Sequence, residues 1–424
     1  MISIESSADS DPRAYRRRVI VATSIGNALE WFDFVAYGFL ALTMARLFFP
    51  GSNEVAALLF TFGSFGVPFL VRPLGAIVMG AYADRRGRKA ALILSIGLMM
   101  LGTLTMAVVP TFHSIGTTAA VIVVVARMLQ GFSVGGEFGS ALAFLVEQDP
   151  KQRGALASWH YASQSVTTVL ATGFGVGLNL LLTPAELDAW GWRIPFVFGL
   201  LVGPAGYYMR ARLRETPAFE ALQTEKAPVR RVIADHGISI VLCVGVIVVS
   251  SITIYTVLFM PTFAVKQLGL SPSTAYLGGL LAGTIQIFLI PVVGLWSDRV
   301  GRTAILLASA TAILLLIYPM FAWLVAVPQL TTLLMVQGIL GGLNALNYGC
   351  LGGLISELFP TPVRASGLSI ANAVAQTLFG GFTPFMCVWL IDVTGNELAP
   401  SFYLMFGAAV SIVALVMVRR TGLR

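Results

Sequence analysis

The first apolar run of the chain holds the stretch GNALEWFDFVAYG, residues 26–38, with two carboxylates, Glu30 and Asp33, among oily neighbours. At roughly 100° per residue on an α-helix, Asn27, Glu30, Asp33, Phe34 and Tyr37 share one arc of about 120°. A carboxylate facing lipid at mid-depth costs about 2.5–3.5 kcal/mol, so this stripe is expected to face protein. Burial disfavours the charged form of a carboxyl and a nearby cation favours it. A carboxyl poised between the two takes up and releases protons near neutral pH; the alternative is a fixed ion pair that holds helices together. Asp33, with aromatic neighbours in the stripe, is the first choice as proton carrier, and Glu30 then pairs with an arginine.

Two arginines lie deep in apolar runs. Arg72 precedes Asp84 by 12 residues, about 18 Å of helix. Arg127 shares a face within about 80° with Gln130 and Glu137. A guanidinium stays charged and forks onto carboxylates, so each arginine calls for an acid or an anionic ligand. Asn27, Tyr37, Arg72 and Arg127 are candidate substrate contacts, with His160 and Gln164 from the stretch SWHYASQS and Asn344, Asn347 and Tyr348 further on. For His160 the commoner role is a buried neutral ring, and for the two asparagines, neighbours at i, i+3, helix bridging is the alternative. Asp33, Glu30, Glu137 and Arg127 are the candidate proton-coupling residues.

Other chemistries find no support. His113, His160 and His236 lack metal-ligand spacing, and Cys243, Cys350 and Cys387 lie far apart in apolar segments. No phosphate-binding G-x-x-x-x-G-K-[ST] loop occurs, so ATP is not expected to drive the protein directly. With no nucleophile–base or metal constellation, the expectation is not an enzyme, with no cofactor, metal or nucleic-acid partner.

The elements that must position these residues follow from composition. Of 424 residues, 57% are hydrophobic and 11% charged, where soluble domains carry about a quarter charged. This is an all-α membrane protein in contact with lipid. Apolar runs cover about 18–43, 55–82, 90–109, 118–145, 155–182, 192–211, 237–262, 274–296, 303–327, 331–355, 365–392 and 401–418. Each can span as a helix, giving twelve transmembrane helices. The first is expected to be a retained span and not a cleaved signal, because no A-x-A site follows the polar residues 1–18.

Most cations fall in one set of loops, among them Arg16, Arg17, Arg18, Arg85, Arg88, Lys89, Arg153, Arg230, Arg299, Arg302 and Arg419. The opposite set holds Arg46, Arg193 and Lys266. By the positive-inside rule both termini are cytoplasmic. The polar segment 210–236 follows the sixth run. We therefore expect residues 1–212 as an N-terminal six-helix bundle, 213–236 as a cytoplasmic linker and 237–424 as a C-terminal six-helix bundle. The halves echo each other: GAYADRRGRK at 80–89 matches GLWSDRVGRT at 294–303, QGFSVGG at 130–136 matches QGILGG at 337–342, and EQDPKQRG at 147–154 matches ELFPTPVRASG at 357–367. Three correspondences in one order at nearly one offset indicate a duplication, the architecture of carriers that bind substrate between halves. Asp84, Arg85, Gly87 and Arg88, with Asp298 and Arg302, are candidate gating residues. An Asp at a helix end can cap a neighbouring helix or pair across to the other half, and the glycine permits a tight turn.

The loop GAYADRRGRK resembles the signature of the major facilitator superfamily. GNALEWFDFVAYG, RPLGAIVMGAYADRRGRK, RMLQGFSVGGEFG, WGWRIPF and RETPAF resemble its metabolite:proton symporter family. GLNLLLTPAELDAWGWRIPF and LFGGFTP are most similar to the citrate/tricarballylate–proton symporters of that family. The resemblance implies a proton-coupled symporter in a bacterial inner membrane, a multi-pass functional monomer driven by the proton gradient. It implies import of a small organic anion, such as citrate, with protons by alternating access. A symporter of a zwitterionic osmolyte such as betaine or proline is the alternative. Osmotic members often carry a long C-terminal coiled coil, and this chain ends at Arg424, shortly after the twelfth run. Osmosensing by such an extension is not expected.

Overall fold

The apolar runs become helices because lipid leaves the backbone no hydrogen-bond partners but its own. The computed structural model describes residues 20, 24, 27–28, 31–51, 53–86, 88–135, 137–211 and 229–421. We number the spanning elements α1 to α12. In the first bundle, α1 is Trp31–Phe39 with Ala41–Phe48, bent by 74° at Leu40. Then come α2 (Glu54–Arg86), α3 (Arg88–Val108), α4 (Thr117–Ser133 continued as Glu137–Glu147), α5 (Arg153–Leu181) and α6 (Ile194–Ala211). The second bundle holds α7 (Val229–Lys266), α8 (Pro272–Val300), α9 (Arg302–Ala326) and α10 (Leu330–Glu357). It closes with α11 (Arg364–Ala375, a π-helical turn Gln376–Gly380, and Thr383–Thr394) and α12 (Ala399–Thr421).

Every apolar run therefore has its helix, with two refinements. The first run reaches Phe48 through a bend, and α7 starts at Val229, ahead of residue 237, with non-helical angles at His236. Eight described helices are each long and apolar enough to cross a membrane, and the bent α1 makes a ninth. α5, 29 residues long, is not among them. Its Ser158, His160, Ser163, Ser165, Thr167, Thr168 and Thr172 make it the most polar of the long helices, and all seven are buried. A span this polar is tolerable only where it faces protein.

Small residues set the crossings that matter for the site. A Cβ on Gly131 of α4 would strike the backbone of Pro68 in α2, and one on Gly75 of α2 would strike the Phe132 carbonyl. This close approach brings Arg72 of α2 beside Arg127 of α4. The two bundles meet along α5 and α8. Gly154 lies by Asp298, Ser158 by Gly294, Thr168 by Gly283, Thr172 by Gly279 and Gly175 by Tyr276. The largest apolar cluster joins both bundles, with Phe62, Phe65 and Phe69 from the first and Phe259, Phe263 and Phe321 from the second.

Candidate functional site

Arg127 is fully buried in α4, and its guanidinium carbon lies 4.7 Å from the ring centre of Phe34, 4.7 Å from Tyr37 and 5.7 Å from Phe65. Arg72, also buried, is 4.5 Å from Phe69, 4.9 Å from Trp31 and 5.1 Å from Phe34. Phe34 thus serves both cations, which lie within electrostatic reach of each other. Aromatic faces attract cations, so the rings hold two guanidiniums at a depth where water is scarce. The Tyr37 hydroxyl is engaged with Ser64, at 2.5 Å.

Asp33 of α1 is buried between α3 and α6. Thr103 donates to its Oδ2, and a Cβ at Gly199 of α6 would collide with Oδ1, so only glycine fits there. Gln130 Nε2 donates to Thr103 Oγ1 at 3.2 Å, and Arg127 Nη1 donates to Gln130 Oε1 at 2.8 Å. Asp33 and Arg127 are therefore linked through two neutral side chains, within electrostatic reach of each other. Arg127 Nε and Nη2 have no hydrogen-bond partner among the described residues.

The second bundle approaches this cluster through Tyr255 of α7, whose ring centre lies 5.8 Å from Phe65 and 5.7 Å from Phe69. The π-helical turn of α11 approaches beside it: Thr377 donates to the Phe69 carbonyl at 2.8 Å, and a Cβ on Gly381 would collide with the Phe69 ring. π-turns inside α-helices recur at functional sites. Below this level, Tyr161 of α5 stacks on Tyr348 of α10 with centroids 4.6 Å apart and planes within 18°. Ser165 of α5 donates to Gln286 of α8 at 3.0 Å.

The loops at the basic end lock the bundles together. Asp298 accepts the backbone N–H of Gly154 and of Ala155, each at 2.9 Å, and so caps α5 of the other bundle. Its own Arg302 binds it at 2.6 Å and also binds Glu357. Glu147 of α4 holds Arg364 of α11 at 2.7 Å. Gly301 turns the chain with φ of 102°, where an L side chain is strained. Lys266 pairs with Glu54 at 2.5 Å across the opposite end, and Tyr276 donates to the Phe39 carbonyl at 2.7 Å. A pocket of about 640 Å³ opens at that end, walled by Arg46, His113, Asp188 and Arg193. Beside it the Thr183 N–H and hydroxyl bond Glu186 in a capping box, and hold its carboxyl below the ordinary range.

The family model for the Major Facilitator Superfamily matches residues 23–384 and 243–422. The chain belongs to the Major Facilitator Superfamily. It is 37% identical over 400 residues to a citrate-proton symporter of Klebsiella pneumoniae, covering 93% of this chain and 90% of that one. It is 33% identical over 425 residues to a proline/betaine transporter of Escherichia coli (strain K12), covering 96% and 84%. Among solved structures, the proton:xylose symporter XylE bound to 6-bromo-6-deoxy-D-glucose superposes with a TM-score of 0.77 at 17% identity, covering 97% and 96%. The twelve helices in two pseudo-symmetric bundles are the major facilitator fold, and the protein is a multi-pass membrane transporter.

Within that fold the candidate residues separate. Asp33, Tyr37, Arg72 and Arg127 come together, and Gln130 joins them as its helical face requires. Three others, expected as substrate contacts, are engaged within the protein in this arrangement. Asn27 spends its amide hydrogens on the His160 carbonyl (3.0 Å) and Ser163 (2.8 Å), tying the first helix to α5. Asn347 turns to Ser309 of α9 at 2.5 Å, away from the first bundle. Tyr348 is covered by Tyr161. His160 is buried against Phe138 and Tyr161, and neither ring nitrogen has a hydrogen-bond partner among the described residues. Gln164, half-buried, sits on the α5 face between the Asn27 contact and Tyr161. Asn344 is buried with neither amide atom partnered among the described residues. Glu30 and Gly87 lie outside the described residues, as do the side chains of Asp84, Arg85, Arg88 and Glu137. Thr103, Trp31, Phe69, Tyr255 and Gln286 gave no signal in the sequence, where a threonine or aromatic residue in an apolar run looks like packing.

Proposed function

We propose that this transporter imports a small organic anion, a di- or tricarboxylate such as citrate, together with protons by alternating access. The observation that carries the reading is Arg127, fully buried against the Phe34 and Tyr37 rings with Nε and Nη2 unpartnered among the described residues and Asp33 within electrostatic reach. Arg127 uses one of its nitrogens on a protein acceptor, and its remaining hydrogens suit a carboxylate ligand. Asp33 carries the coupled proton in this reading. When it is ionised it holds Arg127 electrostatically; when protonated, it releases Arg127 to the anion. The similarity to citrate-proton symporters points the same way. The end bearing Asp298 and Arg302 is cytoplasmic, and its ion pairs and the helix cap open when substrate leaves. The protein works as a monomer without a resident cofactor, in a bacterial inner membrane.

A second reading has its own support. The rings of Trp31, Phe34, Phe69 and Tyr255 suit a quaternary ammonium, and proline/betaine transporters are nearly as similar in sequence. Reconstituted protein given labelled citrate, tricarballylate, proline or betaine under an imposed pH gradient separates the two. We expect accumulation of a carboxylate that collapses with a protonophore; accumulation of betaine without any carboxylate overturns the anion reading. Cysteines replacing Arg299 and Gln329, exposed at opposite ends, test orientation. We expect labelling of Arg299→Cys from inside the cell and of Gln329→Cys from outside.

A further inference from the structure

The residues between Asp33 and Arg127 form a directional device. A guanidinium has donors only, so the Gln130 amide must turn its oxygen toward Arg127, as the 2.8 Å contact has it. Its NH₂ then faces Thr103, whose Oγ1 must accept, at 3.2 Å. The Thr103 hydroxyl is left with one hydrogen and two places to put it. One is Asp33 Oδ2, and the other is the Met99 carbonyl at 3.1 Å.

We infer that Thr103 is a two-position hydroxyl switch, and Gln130 its fixed link to Arg127, through which the protonation of Asp33 and the occupancy of Arg127 sense each other. This rests on the reading of Asp33 as proton carrier. With Asp33 ionised, the Thr103 hydrogen points at Oδ2. When Asp33 takes a proton, its O–H donates to Thr103 Oγ1, and the Thr103 hydrogen swings to Met99. The oxygen then accepts twice, from Asp33 and from Gln130, which its two lone pairs allow. Asp33 Oδ2, the Thr103 hydroxyl and the Gln130 amide keep a partner in either state, while Oδ1 has none among the described residues, so moving the proton orphans no further group. Among the described residues the groups facing Asp33 are Thr103 from α3, Gly199 from α6 and Arg127 from α4, with Tyr37 of α1, Arg72 of α2 and Tyr255 of α7 acting on Arg127.

The two links break differently. Thr103→Val removes the hydroxyl at equal volume, so ionised Asp33 loses its donor. Thr103→Ser keeps the hydroxyl. Gln130→Leu leaves the Thr103–Asp33 bond and cuts the link beyond it, removing the donor to Thr103 and the acceptor of Arg127. The measurement is the pH profile of substrate counterflow in proteoliposomes, at substrate levels below and above half-saturation. We expect Thr103→Val to move the midpoint to higher pH by about one unit, because of the two bonds lost the one to the ionised carboxylate is the stronger. Thr103→Ser should restore the wild-type profile. Gln130→Leu should keep the low-substrate midpoint but lose its movement with substrate.

A folded Thr103→Val with a wild-type profile overturns the switch. If that variant does not fold, a Gln130→Leu midpoint that still moves with substrate overturns it. Asp33→Asn separates this failure from that of the underlying reading. If Asp33→Asn retains proton-driven accumulation with a normal pH profile, Asp33 is not the carrier. If it loses accumulation while the Thr103 and Gln130 variants behave as wild type, only the switch fails.

Discussion

Gln130 and Gln337 occupy corresponding places in the duplicated halves, yet their surroundings differ. Gln130 receives Arg127, three residues earlier, and passes a hydrogen bond on to Thr103. Three residues before Gln337 stands Leu334, and neither amide atom of Gln337 has a partner among the described residues. The first bundle kept charge at mid-depth, and the second kept the amide without the cation. Buried charges need partners and a fixed geometry, whereas neutral amides can be exchanged between partners as helices move. On the proposed function, the comparison gives ion chemistry to α1–α6, and adjustable contacts and closure to α7–α12.

The largest effect should follow from removing the charge itself. Arg127→Ala is expected to reduce carboxylate uptake by at least about 100-fold, the order expected when a buried charge-assisted contact worth about 3 kcal/mol is lost. Asp33→Asn should instead lose uphill accumulation and keep substrate counterflow, because exchange never requires the empty carrier to return. Uptake assays beside counterflow assays make the distinction. If both variants lose both activities in folded protein, the division of labour between the two residues is wrong.

A smaller effect is expected where the halves are locked. Asp298 of the second bundle accepts two backbone N–H groups at the start of α5 while holding Arg302. Asp298→Asn weakens a charged cap at a helix N-terminus, a loss of about 1–2 kcal/mol. Opening at that end should become roughly tenfold more frequent. Ala157, buried against Gly352 at the same interface, gives the readout: a cysteine there should label about tenfold faster in the Asp298→Asn background. An unchanged labelling rate would mean the cap follows closure without favouring it.

How these sites could be read from sequence varied with the kind of constraint. Charge in an apolar run is expensive, so Asp33, Arg72 and Arg127 announced themselves, and the i, i+3 spacing placed Gln130 with Arg127. The order D-R-V-G-R pointed to the tight turn at Gly301 and left open whether Asp298 caps a helix or reaches the other half; it caps a helix of the other half. Thr103 gave no signal, since a threonine in a helix normally satisfies itself on the carbonyl four residues back. Thr103 does so on Met99, and only the packing of α1 reveals its second partner. Periodicity also put Asn344 and Asn347 on one face. Roughly 60° still separates them, which suffices to send Asn347 toward Ser309 of α9.

That divergence can be sharpened. Asn347→Ala removes the bonds to Ser309 and the Leu343 carbonyl, at a cost of about 1–2 kcal/mol in stability. Its KM should be unchanged. Asn344→Ala loses no described hydrogen bond, so stability should hold while KM rises a few-fold if the amide meets substrate. Thermal melts in detergent beside uptake kinetics compare the two. A raised KM for Asn347→Ala would place it back in the central site.

The smallest effect tests the opening comparison most directly. Gln337 is fully buried in α10 against Gly278 of α8, and a side-chain amide there spends nothing on described partners. Gln337→Leu keeps similar volume and exchanges an unpaired amide for an apolar group, a change that is neutral or stabilising by up to about 1 kcal/mol. The same substitution at Gln130 strips Arg127 of its acceptor and leaves Thr103 without its donor, and should cost several times as much. The melting temperatures of the two leucine variants read the difference, and transport by Gln337→Leu should stay near wild type. If Gln337→Leu is as damaging as Gln130→Leu, the second-half amide has a partner during the cycle that this arrangement does not display. The ion chemistry of the first half would then have a polar counterpart in the second.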